Sequence, residues 1–226
     1  MSTERRVTGW AALGGGLLSV VMVGLYFVYS GPPPSSNVLL RNLLLLATFT
    51  ALLCFSVGLG RLLRGPNGDA GLAGELAVTA LNIYVTVTLV AASLEVGTIL
   101  QHPDAGLDPT LDGPLAAGMV LLHGPIARVL VAVFLLGLAL APHARTLFSS
   151  RVLTGSVVLA LLNLALVPSL FFGMDAAQFY AANGWGAVAS IGAVNVIWFA
   201  VLGRSLLRAT EQHQREMSPA PSWRNS

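Results

Sequence analysis

The sequence contains no lysine, and its one cysteine, Cys54, lies within a long apolar stretch. Without lysine the chain cannot bind an aldehyde cofactor such as retinal as a Schiff base. A lone cysteine forms neither an intramolecular disulfide, a CxxC redox pair nor a sulfur-rich metal site. Charged residues make up only 10% of the chain, whereas soluble domains carry roughly a quarter. The composition therefore excludes an ordinary soluble domain.

The motifs of several large functional classes are also missing. No HExxH zinc-protease motif, GxSxG nucleophile motif or nucleotide-binding Walker loop occurs. Only one histidine, His123, lies within an apolar run, so two histidines cannot bind a haem between helices. The acidic residues between positions 101 and 114 do not have calcium-loop spacing, and no basic patch interleaved with aromatics occurs. We predict no cofactor, no metal ion and no nucleic-acid partner.

What the sequence does have is long apolar runs. Six of them are near or above the roughly 20 residues that a helix needs to cross hydrocarbon. They cover roughly residues 9–30, 38–60, 72–100, 115–141, 152–173 and 187–207. The pattern predicts an all-α membrane protein, a bundle of six transmembrane helices within residues 1–208, with a disordered cytoplasmic tail at 209–226. The first run ends in Tyr29-Ser30-Gly31-Pro32 rather than at a small-x-small cleavage site, so we predict that it stays as a span.

The twelve basic residues are all arginines, and their distribution is one-sided. Ten lie at the two termini and in alternate connections: Arg5, Arg6, Arg61, Arg64, Arg145, Arg151, Arg204, Arg208, Arg215 and Arg224. The other three connections contain no arginine. Because arginine accumulates on the cytoplasmic side of membrane proteins, we predict a bacterial plasma-membrane protein with both termini in the cytoplasm (N-in/C-in). Its arginines would then face the anionic lipid of the inner leaflet.

The third run carries polar residues on two faces of the predicted helix. At helical spacing they form two stripes: Glu75, Thr79, Asn82, Thr86 and Ser93 on one, and Tyr84, Thr88 and Glu95 roughly opposite. Unpartnered polar groups are costly in hydrocarbon, so we predict that this helix lies at the centre of the bundle. The polar residues either hold helices together, the interpretation we favour, or line a transport path.

Arg128 lies near the middle of the fourth run, about 13 residues from either end. A charge at that depth costs about 2.5 kcal/mol or more, so it must be paired or hydrated. Helical side chains lean toward the N-terminus of their helix, and the third and fourth helices run in opposite directions. Arg128 and Glu95 therefore lean toward each other, which makes Glu95 the predicted partner and leaves Arg41 as the rival partner for Glu95.

Further polar residues lie near the same depth. His123 is about one and a half turns from Arg128, and the intervening Gly124-Pro125 pair should distort the helix. Two arginines competing for one carboxylate leave room for a bound anion or lipid headgroup. The candidate residues of a polar midplane or ion pair are Arg128, Glu95, Arg41, His123, Asn82, Thr86, Asn163 and Asn195. The alternative is a buried ion pair that only fixes helix registration.

Short elements at the predicted helix ends carry a resemblance. They are Gly60-Arg61-Leu62-Leu63-Arg64, Leu72-Ala73, Ala141-Pro142-His143-Ala144-Arg145-Thr146 and Leu206-Leu207-Arg208. In these elements the chain resembles, from its second to its sixth run, a broad group of six-helix integral membrane proteins of high-GC bacteria. That group has no assigned activity, so the resemblance implies the architecture and no site residue.

Three functional classes stay open. The leading hypothesis is a small permease, channel-like protein or exporter subunit that uses the polar midplane. The second is a non-catalytic structural or accessory subunit that works with a membrane protein partner or as a homo-oligomer. A lipid-modifying enzyme is third, which makes an enzyme the less favoured class.

Overall fold

The computed structural model describes residues 2–29, 31–65, 67–103 and 105–217, and the side chains of residues 3–208 within these ranges. Its regular structure in these ranges is entirely helical. Six helices are long and apolar enough to cross a membrane. The predicted all-α architecture, a bundle of six transmembrane helices, is confirmed, and the chain is a multi-pass membrane protein.

The six helices follow the predicted apolar runs. Their bounds are α1 Ser2–Leu25, α2 Ser35–Leu63, α3 Gly71–Gln101, α4 Ala116–Leu140, α5 Ser150–Ala165 and α6 Ile191–Met217. A 3₁₀ segment, Val167–Phe172, extends α5, and a π-helical turn, Gly186–Ser190, precedes α6. α6 runs beyond the predicted domain boundary at residue 208, and residues 218–226 of the predicted tail lie outside the described residues.

Proline and glycine set the ends of several helices. Pro34 occupies the N-cap position of α2 with φ −57° and ψ 145°, an extended conformation compatible with its ring. Gly68 and Gly71 bring the chain from α2 into α3 with φ of +76° and +68°. Only glycine adopts that left-handed region without strain. The two glycines therefore specify the turn between α2 and α3.

Each helix contacts the next one in the chain, and α1 also packs against α6. α1 packs most extensively against α6 and α2, α3 lies between α2 and α4, and α5 packs against α4. The described arginines outside the apolar runs lie at one end of the bundle, the arginine-bearing end. The described residues of the connections 26–34, 102–115 and 173–185 form the opposite, arginine-free end.

The most buried helix is α4 and not α3. In their most apolar windows, 56% of α4 is buried, compared with 33% of α3. Gly137 explains part of this, because a Cβ there would lie 2.7 Å from the Ala73 carbonyl oxygen of α3. The backbones of α3 and α4 therefore approach closely, and α4 is buried by its neighbours. The prediction that α3 is the central helix is therefore wrong.

Two packing features hold the bundle together. An aromatic cluster, Phe49, Phe55, Tyr84, Phe134 and Phe199, fills its middle with ring centroids 5.5–6.5 Å apart. Glycines join α1 to α6: a Cβ on Gly16 would lie 2.6 Å from the Ala200 nitrogen, and one on Gly203 would lie 2.4 Å from the Leu13 nitrogen. We call this second feature the α1–α6 glycine seam.

Candidate functional site

The buried carboxylate of Glu95 on α3 binds Arg41 of α2. Nη2 of Arg41 donates a hydrogen bond to Oε1 of Glu95, and only 4% and 1% of the two side chains are exposed. Each residue lies about 9 Å, or six residues, from the end of its helix at the arginine-free end. The two residues therefore lie at the same depth in the bundle, and their side chains are long enough to make contact.

Arg128 does not form the predicted pair with Glu95. Its Nη1 donates to the Leu166 carbonyl oxygen at 2.9 Å and to Ser169 Oγ at 3.0 Å. The reason is its position deeper in the bundle, on the face of α4 that meets α5, whereas Glu95 faces α2. The prediction was based on the lean of the side chains along the bundle axis and neglected the direction in which each helix face points. The rival pair, Arg41 with Glu95, takes its place.

Arg128 instead binds the carbonyl groups at the C-terminal end of α5. The α-helical part of α5 ends at Ala165, shortly before Pro168, which has no N–H to continue the helix. The carbonyl groups there carry the partial negative charge of a helix C-terminus. Arg128 binds one of them, and the Tyr180 hydroxyl donates to the Ala165 carbonyl oxygen at 2.5 Å. Within the described residues, Nε and Nη2 of Arg128 are buried without a hydrogen-bond partner.

Tyr26 completes the Arg41–Glu95 pair and was missed by sequence reasoning. The guanidinium carbon of Arg41 lies 4.0 Å from the centroid of the Tyr26 ring, a cation–π contact. Removal from water, and next the Glu95 carboxylate, raise the pKa of Tyr26, so its phenol stays neutral. No spacing in the sequence relates the residue after α1 to one in the next helix, so no sequence signal could have found it.

A cavity of about 360 Å³ lies beside this pair, in the half of the bundle toward the arginine-free end. Most of its lining is aliphatic or aromatic. Its polar lining includes Glu95, His123 and Thr88, and Asn183 from the connection before α6. Phe49 and Tyr84 of the aromatic cluster also line it. The structure thus brings two of the predicted residues, Glu95 and His123, to one cavity.

The predicted asparagines on α5 and α6 bind each other. Asn163 Nδ2 donates to Asn195 Oδ1 at 2.9 Å, and Asn195 Nδ2 donates back to Asn163 Oδ1 at 3.0 Å. The nearby Trp198 Nε1 donates to Ser156 Oγ at 3.0 Å, so it strengthens the same helix pair. This reciprocal amide pair joins two helices and does not line the cavity.

Asn82 and Thr86 lie away from the other candidates. The stripe of α3 that contains them points outward, with Thr79, Thr86 and Ser93 exposed and Asn82 half-buried. Thr86 Oγ1 donates to the Asn82 carbonyl oxygen at 3.0 Å, so its hydroxyl is satisfied within its own helix. The opposite stripe, with Tyr84, Thr88 and Glu95, is the buried one.

Two more helices are interrupted near the cavity. Gly124 has a non-helical φ of −91° and ψ of −109° inside a π-helical turn of α4, Leu122–Ile126, which also contains Pro125. The predicted local distortion of α4 is therefore present. The π-helical turn Gly186–Ser190 lies directly before α6, so the helical backbone is irregular at or next to α4, α5 and α6 toward the arginine-free end.

In the acidic connection between α3 and α4, aspartate side chains accept hydrogen bonds from groups of the same connection. Asp108 Oδ1 accepts hydrogen bonds from the nitrogen and hydroxyl of Thr110 at 2.9 and 2.6 Å, and Asp112 Oδ2 accepts from the Asp108 nitrogen at 2.8 Å. Asp104 lies outside the described residues. In the described ranges, no group of three or more His, Cys, Asp or Glu side chains is placed to hold a metal ion.

Fold and site together define a multi-pass membrane protein with a ligand-sized cavity in one half of its helix bundle. No protein-family model, curated protein or solved structure matches the chain.

Proposed function

We propose that this protein is a small permease or exporter subunit of the bacterial plasma membrane and that the cavity is its substrate site. The cavity itself is the observation that carries the proposal. Its volume of about 360 Å³ lies in the range of small-molecule sites, roughly 300–1,000 Å³. Apolar walls with a carboxylate and an imidazole are typical of such sites, because the walls supply affinity and the few polar groups supply orientation.

The interrupted helices support the same proposal. Transporters form their substrate sites from broken helices, since interrupted backbone in a membrane is tolerated where it lines a cavity or is buried in protein. The π-helical turns within α4 and directly before α6 adjoin this cavity, because His123 and Val188, one from each turn, are among the residues that line it.

The two ends of the bundle have different roles in this proposal. Ten arginines lie at the termini and in the connections of one end, and none lies in the connections of the other, which favours cytoplasmic termini. Because the cavity lies toward the arginine-free end, it opens toward the outside. The aromatic cluster separates it from the arginine-bearing end. Transport requires a second conformation in which that cluster parts and the cavity opens to the cytoplasm.

Cysteine labelling tests whether the cavity alternates between the two sides. Ala193 lines the cavity, so Ala193→Cys is introduced with Cys54→Ala, which removes the native thiol. A membrane-impermeant maleimide is applied to right-side-out vesicles and to inverted vesicles. We expect labelling in both, because a permease exposes its substrate site to each side in turn.

Two exposed cysteines at opposite ends of the bundle calibrate the vesicles. Ser36→Cys, at the arginine-free end, should react only in right-side-out vesicles, and Asn67→Cys, at the other end, only in inverted ones. If both controls behave so and Ala193→Cys reacts from one side alone, the cavity does not alternate and the permease proposal fails.

A structural or accessory subunit is the second candidate, and a specific observation favours it. The exposed polar stripe of α3 has no partner helix among the described residues, and such a stripe suits a neighbouring membrane protein or a second copy. Thr79→Cys in the Cys54→Ala background should then form a disulfide or a short crosslink to a neighbour in native membranes. Absence of any crosslink at Thr79 would count against this candidate.

A further inference from the structure

Two buried polar atoms in the cavity lining have no hydrogen-bond partner among the described residues. They are Nε2 of His123 and Oδ1 of Asn183. A buried polar atom without a partner costs roughly 1–3 kcal/mol, so native structures rarely leave one without a function or a ligand. Both atoms belong to side chains at the cavity, where a bound molecule can reach them.

The chemistry of the two atoms decides which kind of group would satisfy them. The amide oxygen Oδ1 of Asn183 is an acceptor, so it requires a donor. Nε2 of a neutral imidazole accepts in one tautomer and donates in the other. A hydroxyl group can satisfy it in either case, because a hydroxyl both donates and accepts.

The charge at the cavity is already balanced. Glu95 is the carboxylate of the lining, and Arg41 binds its Oε1. A cationic ligand would have no uncompensated negative charge to meet there, and an anionic ligand would face a carboxylate.

We infer that the cavity binds an uncharged, mainly apolar molecule that carries hydroxyl or amide N–H groups, such as an alkylphenol or a long-chain alcohol. The inference rests on the proposed function only in taking the cavity as the substrate site. It adds the chemical class of that substrate: hydrogen-bond donors at one end of a lipid-soluble body.

A pair of matched ligands tests the class. The full-length protein in lipid nanodiscs is titrated by calorimetry with para-hexylphenol and with para-hexylanisole, its methyl ether, and partitioning into empty nanodiscs is subtracted. The ether keeps the size and the apolar body but has no donor. We expect the phenol to bind about tenfold more tightly or better, as one buried hydrogen bond predicts.

Filling the cavity tests the location. Gly192 lines the cavity, and a Cβ there would meet no atom within 4 Å, so Gly192→Leu adds bulk to the cavity without a clash at Cβ. Gly14 is equally open and lies outside the lining, so Gly14→Leu is the matched control. We expect G192L to abolish phenol binding and G14L to retain it.

Removing an acceptor tests the chemistry. Asn183→Leu should reduce the preference for the phenol over the ether by about threefold or more. Asn42 is the matched control, because its Oδ1 is also buried without a partner and it does not line the cavity. N42L should leave the preference unchanged. His123→Phe removes the second unpartnered polar atom and gives a further variant if N183L fails to fold.

The outcomes separate this inference from the proposed function. Equal binding of phenol and ether, tighter binding of hexyltrimethylammonium than of the phenol, or equal effects of G192L and G14L would overturn the inference. Selective phenol binding without labelling of Ala193→Cys from both sides would support the ligand class and refute the permease.

Discussion

Arg41 and Glu95 carry opposite charges in a place where neither is accessible to water. Removing one partner leaves the other charge buried and uncompensated, which costs about 3–5 kcal/mol, whereas the intact pair contributes little net stability. We therefore expect Arg41→Met and Glu95→Gln each to lower the thermal stability of the purified protein strongly. The Arg41→Met, Glu95→Met double variant should recover most of it.

An exposed ion pair provides the control for this experiment. Arg61 Nη1 lies 3.3 Å from Glu4 Oε1, with 67% and 40% of the side chains exposed. Because solvent screens such a pair, Arg61→Ala should change the free energy of unfolding by less than about 1 kcal/mol. Equal effects of Arg41→Met and Arg61→Ala would contradict the buried ion pair.

Arg128 should be energetically independent of Glu95. It binds the end of α5, and the two residues share no partner among the described contacts. Arg128→Met should destabilise the protein by about 1–3 kcal/mol through the lost charge-assisted hydrogen bonds. In a double-mutant cycle measured by unfolding in detergent, the coupling of Arg128 to Glu95 should be within about 0.5 kcal/mol of zero, and that of Arg41 to Glu95 clearly larger. A strong Arg128–Glu95 coupling would restore the pairing that the sequence suggested.

At the scale of the helices, close backbone approach defines the contact between α1 and α6. Gly16 and Gly14 lie two residues apart on α1, but a Cβ on Gly16 would lie 2.6 Å from the Ala200 backbone and one on Gly14 would meet nothing. Gly16→Leu should separate α1 from α6 and reduce the folded yield severely. Gly14→Leu should have nearly the parent yield, as judged by size-exclusion chromatography. Equal yields would show that the α1–α6 glycine seam does not hold the helices together.

The helices were predictable from the sequence for a simple reason. Hydrocarbon demands about 20 apolar residues and internal backbone hydrogen bonds, so composition alone locates a span. Rotation of each helix about its axis is not encoded so directly. The outward stripe of α3 and the inward one both carry polar residues, and only packing against α2 and α4 decides that Glu95 is the buried one. The contacts of Tyr26 and Asn183 arise from connections, whose paths no periodicity specifies.

At the scale of the whole molecule, the distribution of arginine predicts the orientation. A reporter enzyme that is active only in the cytoplasm, fused after Gly68, should be active, and one fused after Asp108 should be inactive. The experiment needs whole cells and equal expression of both fusions. The reverse pattern would turn the cavity toward the cytoplasm and require the proposed direction of opening to be reversed.

The α1–α6 glycine seam has a consequence for biosynthesis. α6 leaves the ribosome after the other five described spans, so the glycine face of α1 stays uncovered in the membrane until α6 is inserted. A nascent chain that stops before residue 186 lacks α6, whose backbone approaches this face most closely among the described helices. We expect such a truncated chain to be degraded within a fraction of the lifetime of the full-length protein in a pulse–chase experiment. Supplying α6 as a separate polypeptide should slow that degradation, because completion of the bundle then no longer depends on one continuous chain.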